Sequence, residues 1–406
     1  MLSTVRPFGV AAEEKRGRRF FLCHAAHEHD RVYMENMGEF LGRLGVPYEI
    51  VEFEAPGQRP ELRQLLDDAI GVLGLNSQLD HCWLGDENFI DAAARQNVPV
   101  VHWIVDHPSA RWPEFVRATE ENSRFLFVSA SCEAYFRRHV LARARTAWTA
   151  GVGPNWRSRL DRSSWWTFRK RDIGCLVALN LKRLGRTMTD VEVEHNALEL
   201  PVRNAVAEAI EHAWHDLDNP LEMHLERALA WRLLELSNAE FHHCFRIVDD
   251  TAQIRRRLKI FDVASRFPVL VQTDTPPQSL LSAGLPTVRT DAEATSMPAT
   301  IERMKSCRSV LSASFTNDML HDRMQNALNA GCVAIIEDTP IHRRLFKHRG
   351  NALLFRYNDD SLAECLDLVC HRPFRAYRIA RAGFALRDHP AIRFGGFHNA
   401  FDLTRE

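Results

Sequence analysis

The sequence predicts an α/β protein made of two Rossmann-like domains. Three observations carry that expectation. Short apolar runs of strand length alternate with segments of helical apolar spacing that stop at glycine, the pattern of parallel βαβ units. The alternation occurs twice, on either side of an irregular basic and aromatic stretch at residues 156–171. The chain has 406 residues, enough for two domains, or three at most, at about 150 residues each.

Residues 1–17 read as a poorly ordered leader. RRFFLCHAA is then a strand with a polar exit, and DRVYMENMGEFLGRLG is an amphipathic helix stopped by Gly45. VPYEIVEFE reads as strand, PELRQLLDDAI as helix, GVLGLN as strand, DENFIDAAARQN as helix and VPVVHWIVDHP as apolar strand. RFLFVSA and ARTAWTAGV continue the series with a helix between them, which completes an N-terminal domain over residues 1–160. The dinucleotide fingerprint G-x-G-x-x-G is missing after the first strand. CHAAHEHD stands there instead, so a cofactor role for that turn is not expected.

The stretch WRSRLDRSSWWTFRKR has no clean period and reads as the interdomain connection. IGCLVALNLKRLGRT opens a second domain over residues 172–385. Residues 193–265 exceed what a crossover needs and read as an inserted helical bundle, after which PVLVQTD resumes the sheet. From Ser309 the chain gives a strand (SVLSAS), a polar turn (FTND) and a helix (MLHDRMQNALNAG) ending at Gly331. Then come a strand (CVAIIED), a short helix, a strand (ALLFRY) and a last helix.

Composition narrows the function. Apolar content of 45% and charged content of 26% are those of an ordinary globular protein. A formal net charge of -1 supplies no global field for nucleic acid or an acidic membrane. No run of eighteen apolar residues exists, so no transmembrane helix is expected, and the N-terminus lacks the apolar core of a signal peptide. Nine cysteines are scattered singly and read as reduced, buried thiols of a cytosolic protein. The motifs of serine hydrolases, P-loop NTPases and zinc ribbons are missing.

Five places carry candidate chemistry. Ligands of parallel sheets sit beyond the carboxyl ends of strands, where FTND enters a helix. Asn317 or Asp318 can cap that helix. His321 and Arg323 then fall in its first two turns, within reach of a diphosphate, with a capped helix bearing solvated charges as the alternative. Asn180, Lys182 and Arg183 follow a buried strand and suit a phosphate, although an ordinary basic loop reads equally well. Thr273 and Asp274 end the strand VLVQTD, near a nucleotide bound at that edge. In CHAAHEHD, His24 is a candidate base, since histidine titrates near neutrality, with a plain polar loop as the alternative. Asp106, at the end of VVHWIV and ahead of His107-Pro108, is a candidate base or acceptor ligand, or a turn cap. Metal ligation is not expected.

The order of features from Ser309 to Leu366 resembles the nucleotide-sugar half of GT-B glycosyltransferases. "NAGCVAIIED" and "HRGNALLFRYNDD" stand where that family has "AGCPVV"-like and "GENGLLF"-like pieces. The resemblance is good over the last 140 residues or so, and its style is that of the spore-maturation-protein-like branch. That branch has an Arg three residues before the acidic helix position, matched by Arg323 and Asn326. "W-x-x-D-x-P" at Trp103, Asp106 and Pro108 also looks like its N-terminal domain. The family's pair of Glu with seven residues between maps onto Asp318 and Asn326, one shortened and one an amide. The resemblance implies two domains facing a cleft and a bacterial, metal-independent, cytoplasmic glycosyltransferase without a cofactor. Its partners would be a nucleotide sugar and a glycan, lipid-linked or protein acceptor, and no nucleic acid. Residues 386–406 would pack back on the N-domain. A GT-B epimerase and a non-catalytic sugar- or nucleotide-binding protein are the alternatives.

Overall fold

The computed structural model describes residues 18–110, 123–154, 164–179, 186–273, 289–291, 297–314, 316–394 and 397. The chain divides into two compact units, Met1–Thr149 with Gly396–Glu406, and Ala150–Gly395. The division falls ahead of the basic stretch at 156–171.

The described elements of the first unit are β1 (Arg19–Ala25), α1 (Glu28–Arg43), β2 (Tyr48–Phe53), β3 (Gly57–Gln58), α2 (Arg63–Asp68), β4 (Ala69–Leu75), β5 (Cys82–Trp83), α3 (Phe89–Arg95), β6 (Val100–Ile104), β7 (Ser123–Phe127), α4 (Ala130–His139) and β8 (Arg145–Trp148). Six strands form one parallel sheet in the order β2-β1-β4-β6-β7-β8. Leu22 of β1 stands between Ile50 of β2 and Leu73 of β4. β6 is buried along its whole length, as a strand covered on both faces must be. Gly45 ends α1 with φ +71, a left-handed conformation that glycine adopts at little cost. Ala69 and Ile70, expected at the end of a helix, open β4 instead. Ala69 pairs with Arg19 and is buried, so sheet pairing overrides its helical propensity. Phe397 also belongs to this unit. It is fully buried, edge-on to Phe40 at 5.8 Å and to Trp103 at 5.4 Å.

The second unit contains α5 (Trp165–Arg169), β9 (Ile173–Ala178), α6 (Met188–Ala197), α7 (Leu200–Ala213), α8 (Glu222–Trp231), α9 (Asn238–Ala264), β10 (Val269–Gln272), β11 (Arg289–Asp291), α10 (Met297–Lys305), β12 (Cys307–Ser312), α11 (Asp322–Asn329), β13 (Val333–Glu337), α12 (Pro340–Leu345), β14 (Leu353–Phe355), α13 (Asp359–His371), α14 (Pro373–Leu386) and α15 (Pro390–Arg393). Its parallel sheet has the order β11-β10-β9-β12-β13-β14. Period-two alternation divides β9, β10, β13 and β14 between two cores. Cys175 and Val177 of β9 join one core with Val263 of α9 and Leu366 of α13. Leu176 and Ala178 join the other with Met324 and Leu328 of α11. The connection from β9 to β10 carries α6 to α9, the helical insertion expected there. The 27-residue α9 starts at a capping box in which Ser237 and Glu240 each accept the other's backbone N–H.

The end of the basic stretch is not a linker. Trp165–Arg169 is a helix of the second unit, and Trp165 packs edge-on to Phe374 at 5.3 Å. Arg171 is buried, and its guanidinium donates to the carbonyls of Cys307 (2.7 Å), Ala330 (2.9 Å) and Gly331 (3.1 Å). It therefore satisfies the carbonyl end of α11 and fastens it to β12. Arg171→Ala is expected to cost about 3 kcal/mol in urea unfolding, because three buried carbonyls lose a charged donor. Arg171→Lys recovers little, since one ammonium lacks the planar fork.

Cys23, Cys175 and Cys332 are buried as free thiols, and burial pushes all three up from their ordinary range. No described helix is long and apolar enough to cross a membrane.

Candidate functional site

In an open parallel sheet, ligands sit at the carboxyl ends of the two strands where the chain reverses its direction of travel. In the second unit that point lies between β9 and β12. The residues that follow β9 include Asn180, Lys182 and Arg183, which fall outside the described residues, as does Asp274. The residues that follow β12 form the turn from Ala313 to Leu320, with Phe315 undescribed.

That turn is held from below by Glu337, the last residue of β13. One carboxylate oxygen accepts the Ser314 N–H at 2.8 Å, and the other accepts the Tyr357 hydroxyl. Burial pushes the Glu337 carboxyl above its ordinary range. The nearby Arg256 guanidinium, the Tyr357 hydroxyl and the Ser314 amide pull it down without fully offsetting burial.

Arg256 of α9 holds the turn from the side. It is 1% exposed, donates to the carbonyls of Ala213 (2.9 Å), Trp214 (3.1 Å) and Asp216 (2.9 Å), and stands over the Tyr357 ring at 5.2 Å. Its remaining donor reaches Asn317 Oδ1 at 3.3 Å. The Asn317 amide in turn donates to the carbonyls of Asp216 (3.2 Å) and Asn219 (2.6 Å). Asn317 thus ties the turn to the α7–α8 loop.

Neither Asn317 nor Asp318 caps the next helix. α11 begins four residues later than Asp318, with His321 as its N-cap. Two physical causes are visible. The Asn317 side chain is committed to Arg256 and the α7–α8 loop. Leu320 is drawn into an extended bridge with Gly151, its N–H donating to the Ala150 carbonyl at 2.7 Å. Gly151 has φ +140, and a Cβ there would lie 2.3 Å from the Leu320 carbonyl oxygen, so the bridge demands glycine.

The later start places Asp322 and Arg323 at the first two positions of α11, both half-buried. His321 Nδ1 stands 2.5 Å from Asp322 Oδ1 and 3.1 Å from the Arg323 N–H. Nδ1 can donate to the carboxylate or accept the amide, but not both at once. Burial acts to raise the Asp322 carboxyl, but His321 and Arg323 win and hold it well below the usual carboxylate range. Its negative charge suits the helix N-terminus and opposes an incoming phosphate. Arg323 supplies the positive charge beside it.

The remaining candidates are spread around this edge. Asp318 is half-buried in the turn. Thr273 is 3% exposed at the end of β10, one strand beyond β9. Asn326 is 3% exposed on α11, whose residues from Met324 to Asn329 are all buried.

Sequence reasoning missed three members of this edge. Glu337 was read as the end of an apolar strand, and Arg256 was lost within the helical insertion. Acidic and basic residues inside apolar periodic runs were the available signal. The third is His342 of α12, 2% exposed, with Nδ1 at 2.8 Å from the Glu337 carbonyl. A carbonyl only accepts, so Nδ1 carries the proton. Burial pushes this imidazole down from 6.5 to about 4, against the pull of that hydrogen bond. Its folded value lies below its unfolded one. Its contribution to stability is therefore complete above pH 6.5 and is lost as pH falls through about 4. Over that window the wild type is expected to lose about 3 kcal/mol relative to His342→Gln in pH-dependent urea unfolding.

In the first unit the direction of travel reverses between β1 and β4. Asn76, just past β4, has φ 43 and donates to Asp106 Oδ2 at 3.1 Å, while its Oδ1 accepts the Val105 N–H at 2.9 Å. Asp106 is half-buried and oriented by this amide at the carboxyl edge. His24 does not stand in the exit loop. It lies inside β1, is 1% exposed, and has Nδ1 at 2.6 Å from the Ala25 carbonyl. The exit is organised by Gln78, which accepts the Ala25 N–H at 3.0 Å and donates to Asp30 at 2.9 Å.

No protein-family profile matches the chain, and no curated protein matches its sequence. Solved structures do match its fold. HepE of Anabaena, determined with UDP and glucose, aligns at TM-score 0.51 and 10% identity, covering 95% of this chain and 98% of HepE. Sucrose-phosphate synthase of Thermosynechococcus elongatus aligns at 0.51 and 10% identity, covering 95% and 97%. The DNA-modifying enzyme β-glucosyltransferase, determined with and without uridine diphosphoglucose, aligns at 0.50 and 7% identity, covering 95% and 99%. The chain therefore shares with these proteins the GT-B fold of two Rossmann-like domains.

Proposed function

We propose that this protein is a glycosyltransferase that takes a sugar from a nucleotide-activated donor. The carrying observation is the start of α11, where a histidine cap and Arg323 meet at the β9–β12 switch point. Arg323 contacts the donor diphosphate. Lys182 and Arg183, next in sequence after β9, add charge to the same leaving group. Asp106 in the first unit faces the acceptor, a glycan, lipid-linked or protein hydroxyl, as base or hydrogen-bond acceptor. The fold it shares with HepE and β-glucosyltransferase, both determined with uridine nucleotides or sugar nucleotides, supports a sugar nucleotide as donor. The buried free cysteines support a reducing cytoplasm.

The leaving group is stabilised by side-chain cations and not by a metal. Turnover is therefore expected to survive a chelator. Loss with chelator, restored by Mg²⁺ or Mn²⁺, contradicts this assignment.

A second reading is favoured by Asn326, an amide at the family's acidic position and buried on α11. It makes the protein a binder of sugar nucleotides without turnover. Saturation-transfer NMR across a donor panel, run beside a donor-hydrolysis assay, separates the two. Binding with hydrolysis supports the transferase, and binding without it supports the binder.

A further inference from the structure

We infer that the surface formed by α5 and α14 of the second unit docks on an anionic lipid bilayer. Arg375, Arg378 and Arg381 recur at every third residue of α14 and are all exposed. None of the three has a hydrogen bond or ion pair among the described residues. α5 adds Arg169, followed directly by Lys170, and neither helix contains an Asp or Glu. The acid just past α14, Asp388, is offset by Arg387 at 3.4 Å and Arg393 at 3.5 Å.

Two large aromatic side chains break this cationic surface. Trp166 is 65% exposed and Phe374 is 58% exposed. They are set in place by packing: Phe374 is edge-on to Trp165 at 5.3 Å, and the Arg169 guanidinium lies 4.8 Å from the Trp166 ring centre. Beside them a groove of about 770 Å³ runs along α14 between Phe374, Arg378, Arg381 and Arg387. Exposed Trp and Phe among unpaired arginines match a headgroup region, where rings enter the acyl boundary and guanidiniums meet phosphates. The occupant is inferred to be a bilayer because the exposed rings stand beside an arginine row on helices that carry no acid, the pattern of an interfacial surface. The surface is independent of the donor assignment.

The test is flotation of the full chain with vesicles of phosphatidylcholine, with and without phosphatidylglycerol. The expected result is binding to the mixed vesicles only, weakened by salt. Arg375→Gln, Arg378→Gln and Arg381→Gln combined should lower the partition coefficient by on the order of 100-fold, roughly fivefold for each arginine. The corresponding triple Lys variant should retain binding. Trp166→Ser with Phe374→Ser should remove the part that survives high salt. All are exposed positions, and unchanged thermal unfolding checks their fold. Failure to bind mixed vesicles at low salt overturns the proposal, as does equal binding by the triple Gln variant. Binding of a single-stranded oligonucleotide without vesicle binding overturns it in favour of nucleic acid.

Discussion

Arg323→Ala is expected to lower kcat/KM for the sugar-nucleotide donor by on the order of 100-fold, about 2.7 kcal/mol of transition-state stabilisation. Arg323 is the second residue of α11, beyond the carboxyl edge of β12. As the glycosidic bond breaks, charge builds on the departing diphosphate, and a planar guanidinium offers it two parallel donors. Arg323→Lys keeps the charge and loses the fork, so it should recover part of the rate. The fold should change little, because His321 caps the helix and Arg171 satisfies its far end. Thermal unfolding measured beside the kinetics separates a chemical effect from a structural one.

Arg256→Met is expected to have the largest effect on stability, about 4 kcal/mol in urea unfolding. Methionine fills much of the volume but removes the charged donor of the Ala213 and Trp214 carbonyls and leaves the Asp216 carbonyl to Asn317 alone. It also removes the cation that faces buried Glu337. The substitution should loosen the turn after β12 through Asn317, so donor affinity falls together with stability. If Arg256→Met unfolds like the wild type, the buried network is not what fixes this edge.

The sheet architecture was legible because strand and helix periods differ and are repeated. Strands such as CVAIIED and VPVVHWIV are near-continuous apolar runs of the kind a doubly covered parallel strand requires. The helical insertion was legible from its apolar residues at helical spacing and from its excess length. Where the reading failed, a long-range contact had overridden local preference. Asn317-Asp318 looks like a helix start, but Arg256, 61 residues earlier, claims the Asn317 side chain. The pairing of Leu320 with Gly151 also delays the helix to His321. Arg171 falls in the stretch read as the interdomain connection, yet it closes the end of a helix 159 residues away. His24 sits in the polar string CHAAHEHD, and its burial depends on the neighbouring strands of the sheet. Glu337 and Tyr357 are 20 residues apart, and no local spacing reports that they share a hydrogen bond.

The central claim is that the start of α11 binds a nucleotide diphosphate. Its most direct test is a thermal-shift titration of UDP, GDP, ADP and CDP against wild type and Arg323→Ala. At a concentration of 100 times Kd, a bound nucleotide should stabilise the wild type by about 2.7 kcal/mol. The account predicts this shift for at least one nucleotide, and its loss or sharp reduction in Arg323→Ala. An equal shift in both proteins would place the nucleotide elsewhere and contradict the account.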